Sequence, residues 1–167
     1  MAAAPRPAAA PAATAEPSRA QAPPAPVPAR RRPPAPGSLE HCAAIAASLA
    51  RRPADQAAIL GENKLSEDDW DALEQRWTEA MRKDPELPAA YDRAYVARLE
   101  EERGPISPDE YARLTIAHEH GRATHIQALR DLGLPWGATP RIQRAFAERM
   151  EADRDFAAVI RAALANR

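Results

Sequence analysis

The stretch SEDDWDALEQRWTEAMRKDPELPAAYDRAYVARL, from Ser66 to Leu99, reads as two amphipathic helices joined at Lys83-Asp84-Pro85. Ser66 offers a hydroxyl to cap free amides, and Glu67, Asp68 and Asp69 place negative charge against the positive end of a helix. Trp70, Leu73, Trp77 and Met81 then recur at steps of three and four, which sets them on one face. Asp71, Glu74, Gln75, Thr78 and Arg82 fall on the other, where water can reach them. Asp84-Pro85 is expected to cap and open the second helix, whose stripe is Leu87, Tyr91, Tyr95 and Leu99, before Gly104-Pro105 stops it. Two such helices with a short connection pack antiparallel.

The same pattern returns at the end of the chain. At an offset of 69 residues Ser38 falls on Ser107, Leu60 on Leu129, Leu65 on Leu134, Met81 on Met150 and Asp84 on Asp153. Apolar positions follow, with Trp77 on Phe146, Leu87 on Phe156, Tyr91 on Ile160 and Tyr95 on Leu164. The reading is an internal duplication, each copy burying a face that one copy cannot bury alone. Trp77 and Phe146 are expected to close the two copies from equivalent places.

Outward from these helices the punctuation predicts about eight in all, of unequal length, four per unit. Ser38 caps the first, with Cys42, Ile45 and Leu49 as its stripe; Arg51-Arg52-Pro53 breaks it, and a short helix runs to Gly61. Ser107-Pro108-Asp109-Glu110 is a capping box for the fifth, with Tyr111, Leu114 and His118 as its stripe. The chain breaks at His120-Gly121, and a short helix ends near Leu132-Gly133. Thr139-Pro140 and Asp153 are read as the caps of the last two. Val and Thr are sparse and no segment alternates with period two, so the fold class is all-α. Its parts are a tail over 1–37, a helical unit over 38–104 and a second over 105–167.

The tail is a different material. Eleven of the 18 prolines lie within residues 1–37, among Ala and Arg with almost nothing large and apolar, a composition expected to be disordered and partly polyproline II. Its charge is +4, from Arg6, Arg19, Arg30, Arg31 and Arg32 against Glu16; the chain totals −1, leaving −5 on the rest. No apolar run after Met1 has the character of a secretory signal, and none approaches a membrane span. A single cysteine, Cys42, excludes an intramolecular disulfide and fits a reducing cytoplasm.

Chemistry-bearing clusters are few. His118, Glu119 and His120 with His125 form a candidate zinc or nickel set. Residues two apart on a helix point in different directions, so His118 and His120 share a metal only if the helix ends between them. His118 also aligns with Leu49, and it reads first as a half-buried histidine at the edge of the core. There is no glycine-rich phosphate loop, no CxxC pair and no nucleophile elbow, and Cys42 has no acid or base partner in reach. Neither an enzyme nor a cofactor is expected.

Arg30, Arg31 and Arg32 are candidate phosphate contacts, but in the folded part bases are interleaved with acids as on an ordinary solvated surface. A nucleic-acid-associated protein is therefore the second reading and a histidine-based metal-binding protein the third. The first is recognition of another protein. Pro23 to Arg30 has the spacing of a polyproline ligand, but it reads first as a plain spacer. Trp136, in Gly133-Leu134-Pro135-Trp136-Gly137, reads first as a plug between the two units and second as an exposed contact anchor. Trp70, at a helix start, poses the same question.

The order Ser38-Leu39-Glu40, Cys42-Ala43, Leu49, Ile59-Leu60, Leu65, Trp70, Trp77, Asp84-Pro85, Tyr91 and Tyr95 resembles short helical units of uncharacterised bacterial proteins, some of them associated with type VI secretion gene clusters. The resemblance covers most of Ser38 to Leu99 and only weakly the second copy, where Phe146 stands for Trp77 and Asp153-Arg154 for Asp84-Pro85. It implies an accessory or adaptor role beside a secretion machine, and it carries over no catalytic or binding residue.

Overall fold

Hydroxyl and carboxylate caps fix where the helices begin. The computed structural model describes residues 34–166; the proposed tail, with its polyproline stretch and Arg30, Arg31 and Arg32, lies almost wholly outside them. Eight α-helices follow in order: α1 Leu39–Arg51, α2 Gln56–Glu62, α3 Glu67–Lys83, α4 Leu87–Arg103, α5 Pro108–Glu119, α6 Arg122–Asp131, α7 Ala138–Ala152 and α8 Arg154–Ala165, with one 3-10 turn at Pro53–Asp55. Among the described residues there is no strand. Ser38, Ser66, Ser107 and Asp153 accept backbone hydrogen bonds as caps, and Ser66 and Ser107 close reciprocal boxes with Asp69 and Glu110.

Two expected caps are displaced. Asp84 ends α3 instead of opening α4: its Oδ1 accepts from the Glu86 amide at 2.9 Å, and α4 begins at Leu87. An Asp side chain bonded two residues on turns the chain before a helix can start. Thr139 is not a cap either. α7 is already running at Ala138 behind Gly137, and the Thr139 hydroxyl is spent on a buried histidine, described below.

α4 is the centre of the packing. It lies along α1 on one side and against α7 on another, while α5 packs on α8, α6 and α7. Cys42 and Ile45 of α1, Tyr91, Tyr95, Val96 and Leu99 of α4, Tyr111 and Leu114 of α5, and Ile142, Phe146 and Ile160 form one continuous core. The described residues accordingly form one compact unit.

Two polar clusters pin α4 at its interfaces. Glu102 accepts from Ser48 at 2.7 Å and from Arg52 at 3.1 Å, with Arg98 also 3.1 Å away, so the end of α4 is tied to the end of α1. Asp92 is 1% exposed and bonds Arg141 at 2.8 Å and Arg144 at 2.5 Å, both on α7. The Arg141 guanidinium lies 4.7 and 4.9 Å from the ring centres of Tyr91 and Tyr95, which fixes it over the face of α4.

The rings expected to be equivalent differ in setting. Phe146 is enclosed, stacked on Tyr111 at 4.6 Å and 5.5 Å from Phe156. Trp77 is half-buried at the core margin, its indole N–H donating to the Gly37 carbonyl at 3.2 Å beneath the Arg76 guanidinium. A ring that needs a partner for its N–H settles where the backbone before α1 supplies one.

Candidate functional site

Around α6 the structure brings together three of the residues singled out above, His118, His125 and Trp136. Gly121, at φ +106°, ends α5 and turns the chain into α6. The two helices run antiparallel, since Arg113 pairs with Asp131 at one end while His118 meets His125 at the other. α6 then stops in a Schellman motif: the Gly133 amide bonds the Arg130 carbonyl at 3.1 Å, and the Leu134 amide bonds Leu129 at 2.9 Å. Gly133, at φ +62°, supplies the left-handed residue the motif requires.

Immediately afterwards the Ala138 amide bonds the Pro135 carbonyl at 3.2 Å, closing a turn over Pro135-Trp136-Gly137-Ala138. Gly137, with φ +83° and ψ −1°, takes the third-position geometry of a type II turn. Trp136 therefore sits on a corner held from both sides. It is 63% exposed. The plug expected at this position is corrected: Leu134, Pro135 and Ala138 are the buried members of the loop, and the indole points outward. Trp70 has the opposite fate, at 8% exposed in the core. Its contact-anchor role is set aside for that reason.

Arg122, Ile126, Leu129 and Arg130 lie along one side of α6, at steps of three and four. With Leu134 and Trp136 they line an open groove of about 420 Å³. The Arg122 guanidinium lies 5.7 Å from the Trp136 ring centre. Behind the indole, the His125 ring is 5.9 Å away.

His125 is 8% exposed, and its Nε2 lies 2.6 Å from Thr139 Oγ1. Its other nitrogen faces His118 Nδ1 at 3.5 Å, the two rings meeting edge to face. Burial, and then the neighbouring His118, hold the His125 imidazole below the ordinary histidine value. The burial expected of His118 belongs instead to His125; His118 lies exposed in the last turn of α5. His120 takes a different direction, its Nδ1 2.7 Å from the Ile116 carbonyl, in a separate depression with Arg113, Thr124 and Gln127. The structure thus brings His118 and His125 together and leaves His120 apart. Among the described residues no three His, Cys, Asp or Glu side chains converge on a common point.

The thiol of Cys42 is buried between α1 and the core, and burial with the nearby Glu74 carboxylate pushes it up to about 11. A thiol so placed stays protonated at neutral pH.

Arg122, Arg130 and Thr139 were not legible as site residues. The first two do carry a signal, since eight residues apart they bracket Ile126 on one helical side. Thr139 carries none, because its partner comes from another helix. Comparison with protein-family models, curated proteins and solved structures gives no match.

Proposed function

We propose that this protein is a non-enzymatic interaction module that docks another protein on the α6 groove, with Trp136 as the anchor. The observation that carries the reading is the exposure of that indole on a rigid corner. A large aromatic side chain normally stabilises a fold by burial; one held outward by a Schellman stop and a glycine turn is pre-organised for contact at small entropic cost. The groove beside it supplies apolar floor from Ile126, Leu129 and Leu134. The strongly shifted thiol of Cys42 lies in the core and not on this surface, which favours binding over covalent chemistry.

The test is a split between stability and capture. Trp136→Ala should change the unfolding free energy by less than about 0.5 kcal/mol, as an exposed substitution does, while a partner isolated with the full chain is lost. A variant that keeps its partner, or that unfolds early, removes Trp136 as the anchor.

The repeated plan of the chain belongs to the same proposal: residues 38–104 and 105–167 are read as two copies of a four-helix unit. Supporting it, α1 packs on α4, α2 and α3, and α5 packs on α8, α6 and α7 in the same scheme. The unlike settings of Trp77 and Phe146 speak against a strict copy and limit the proposal to the backbone plan.

A further inference from the structure

We infer that the occupant of the α6 groove is an acidic amphipathic segment of a partner protein, presenting two carboxylates to Arg122 and Arg130 and a bulky apolar side chain between them. The inference rests on the docking role of Trp136 and adds the chemistry of what docks. Of the six lining residues two are arginines, four are apolar and none is acidic.

This one-signed lining stands out on a folded part whose net charge is −5. The acid that α6 does carry, Asp131, is turned to the opposite side of the helical hairpin, where Arg113 and Gln127 hold it. Among the described residues neither Arg122 nor Arg130 makes an ion pair. Arg122 leans on the Trp136 ring, which orients the guanidinium at the rim of the groove. Both are arginines, the side chain whose fork matches a carboxylate in two hydrogen bonds.

Geometry fixes the spacing of the ligand. Eight residues of helix separate the two arginines by about 12 Å along the axis. A helical ligand meets that span with two acids eight residues apart. An extended one meets it with acids four apart, at about 3.3 Å per residue. Ile126 and Leu129 lie between the arginines, so the apolar side chain must fall between the acids. A nucleic acid fits less well, because two cations in an acidic domain neutralise few phosphates.

The experiment titrates the full chain, by calorimetry, with a synthetic Ala-rich helical peptide carrying two Glu eight residues apart and Leu between them. Controls are the same peptide with Gln for both Glu, the same with Lys, and a single-stranded RNA oligonucleotide. Binding should be strongest for the Glu peptide. It should weaken about tenfold or more for Arg122→Glu and for Arg130→Glu, as expected for a lost charge-assisted hydrogen bond, and should vanish with Trp136→Ala. Melting curves of each variant, unchanged from the parent, keep these losses attributable to the surface. Equal binding of the Gln and Glu peptides that still requires Trp136 would overturn the acidic ligand and leave the docking role standing. Binding of the Glu peptide that ignores Trp136→Ala would overturn both. No peptide binding, or tighter binding of the RNA, also overturns the inference.

Discussion

His125 shows how one residue joins the core to the candidate surface. Its ring is backed by Thr139, edged by His118 and covered on a third side by Trp136. Burial and His118 lower its affinity for a proton in the folded chain, whereas the unfolded chain returns it to about 6.5. The unfolded state then binds more protons between these two values, so stability is complete above about pH 6.5 and falls as pH drops toward the folded value. Melting temperature followed from pH 8 to pH 5 should therefore decline, and His125→Gln should flatten the decline. A profile unaltered by that substitution would show that His125 binds its proton equally well in the folded and the unfolded chain. Glu102 acts in a separate, more acid window: burial raises it, but Ser48, Arg98 and Arg52 outweigh burial and hold it below its ordinary 4.5. Its contribution is present above about pH 4.5 and is lost below. The histidine trio was only partly legible in the sequence. Helical geometry correctly separates His118 from His120, but the pairing of His118 with His125 depends on where the chain turns at Gly121.

Among the elements, α4 and α7 meet through Asp92, and the asymmetry of that cluster predicts unequal costs. Asp92 is buried, while Arg141 and Arg144 keep contact with water. Removing the acid lets both guanidinium groups turn to solvent, so Asp92→Asn should cost about 1–2 kcal/mol, the scale of lost hydrogen bonds. Removing both arginines strands a buried carboxylate, and Arg141→Ala with Arg144→Ala should cost about 3–5 kcal/mol. Urea denaturation of the two variants measures the difference; equal losses would mean that Asp92 does not depend on its partners for burial. This cluster was invisible in the sequence, where Asp92 lies on a polar side of an amphipathic helix and its partners stand 49 and 52 residues away. The helix limits, by contrast, were readable from Ser38, Ser66, Ser107 and Asp153, because a cap acts within three residues of itself. Asp84 and Thr139 misled for the same reason in reverse. Each has the side chain of a cap, and each is claimed by another donor or acceptor first.

Across the whole molecule the all-α plan and the number of helices followed from periodicity and punctuation, which are local. Which tryptophan is covered did not, because that depends on three helices meeting. Trp70 and Trp136 each open a polar or looped stretch, and their surroundings alone separate them: the first lies inside the shared core, the second on a corner after α6. No helix among the described residues is long and apolar enough to cross a membrane. The docking role depends on the display of Trp136, which hydroxyl-radical footprinting of the intact chain, read by mass spectrometry, measures. Trp136 should oxidise fastest, Trp77 more slowly and Trp70 least, and the acidic peptide should protect Trp136 alone. Oxidation of Trp136 as slow as that of Trp70 would mean that the indole is covered and cannot serve as a docking anchor.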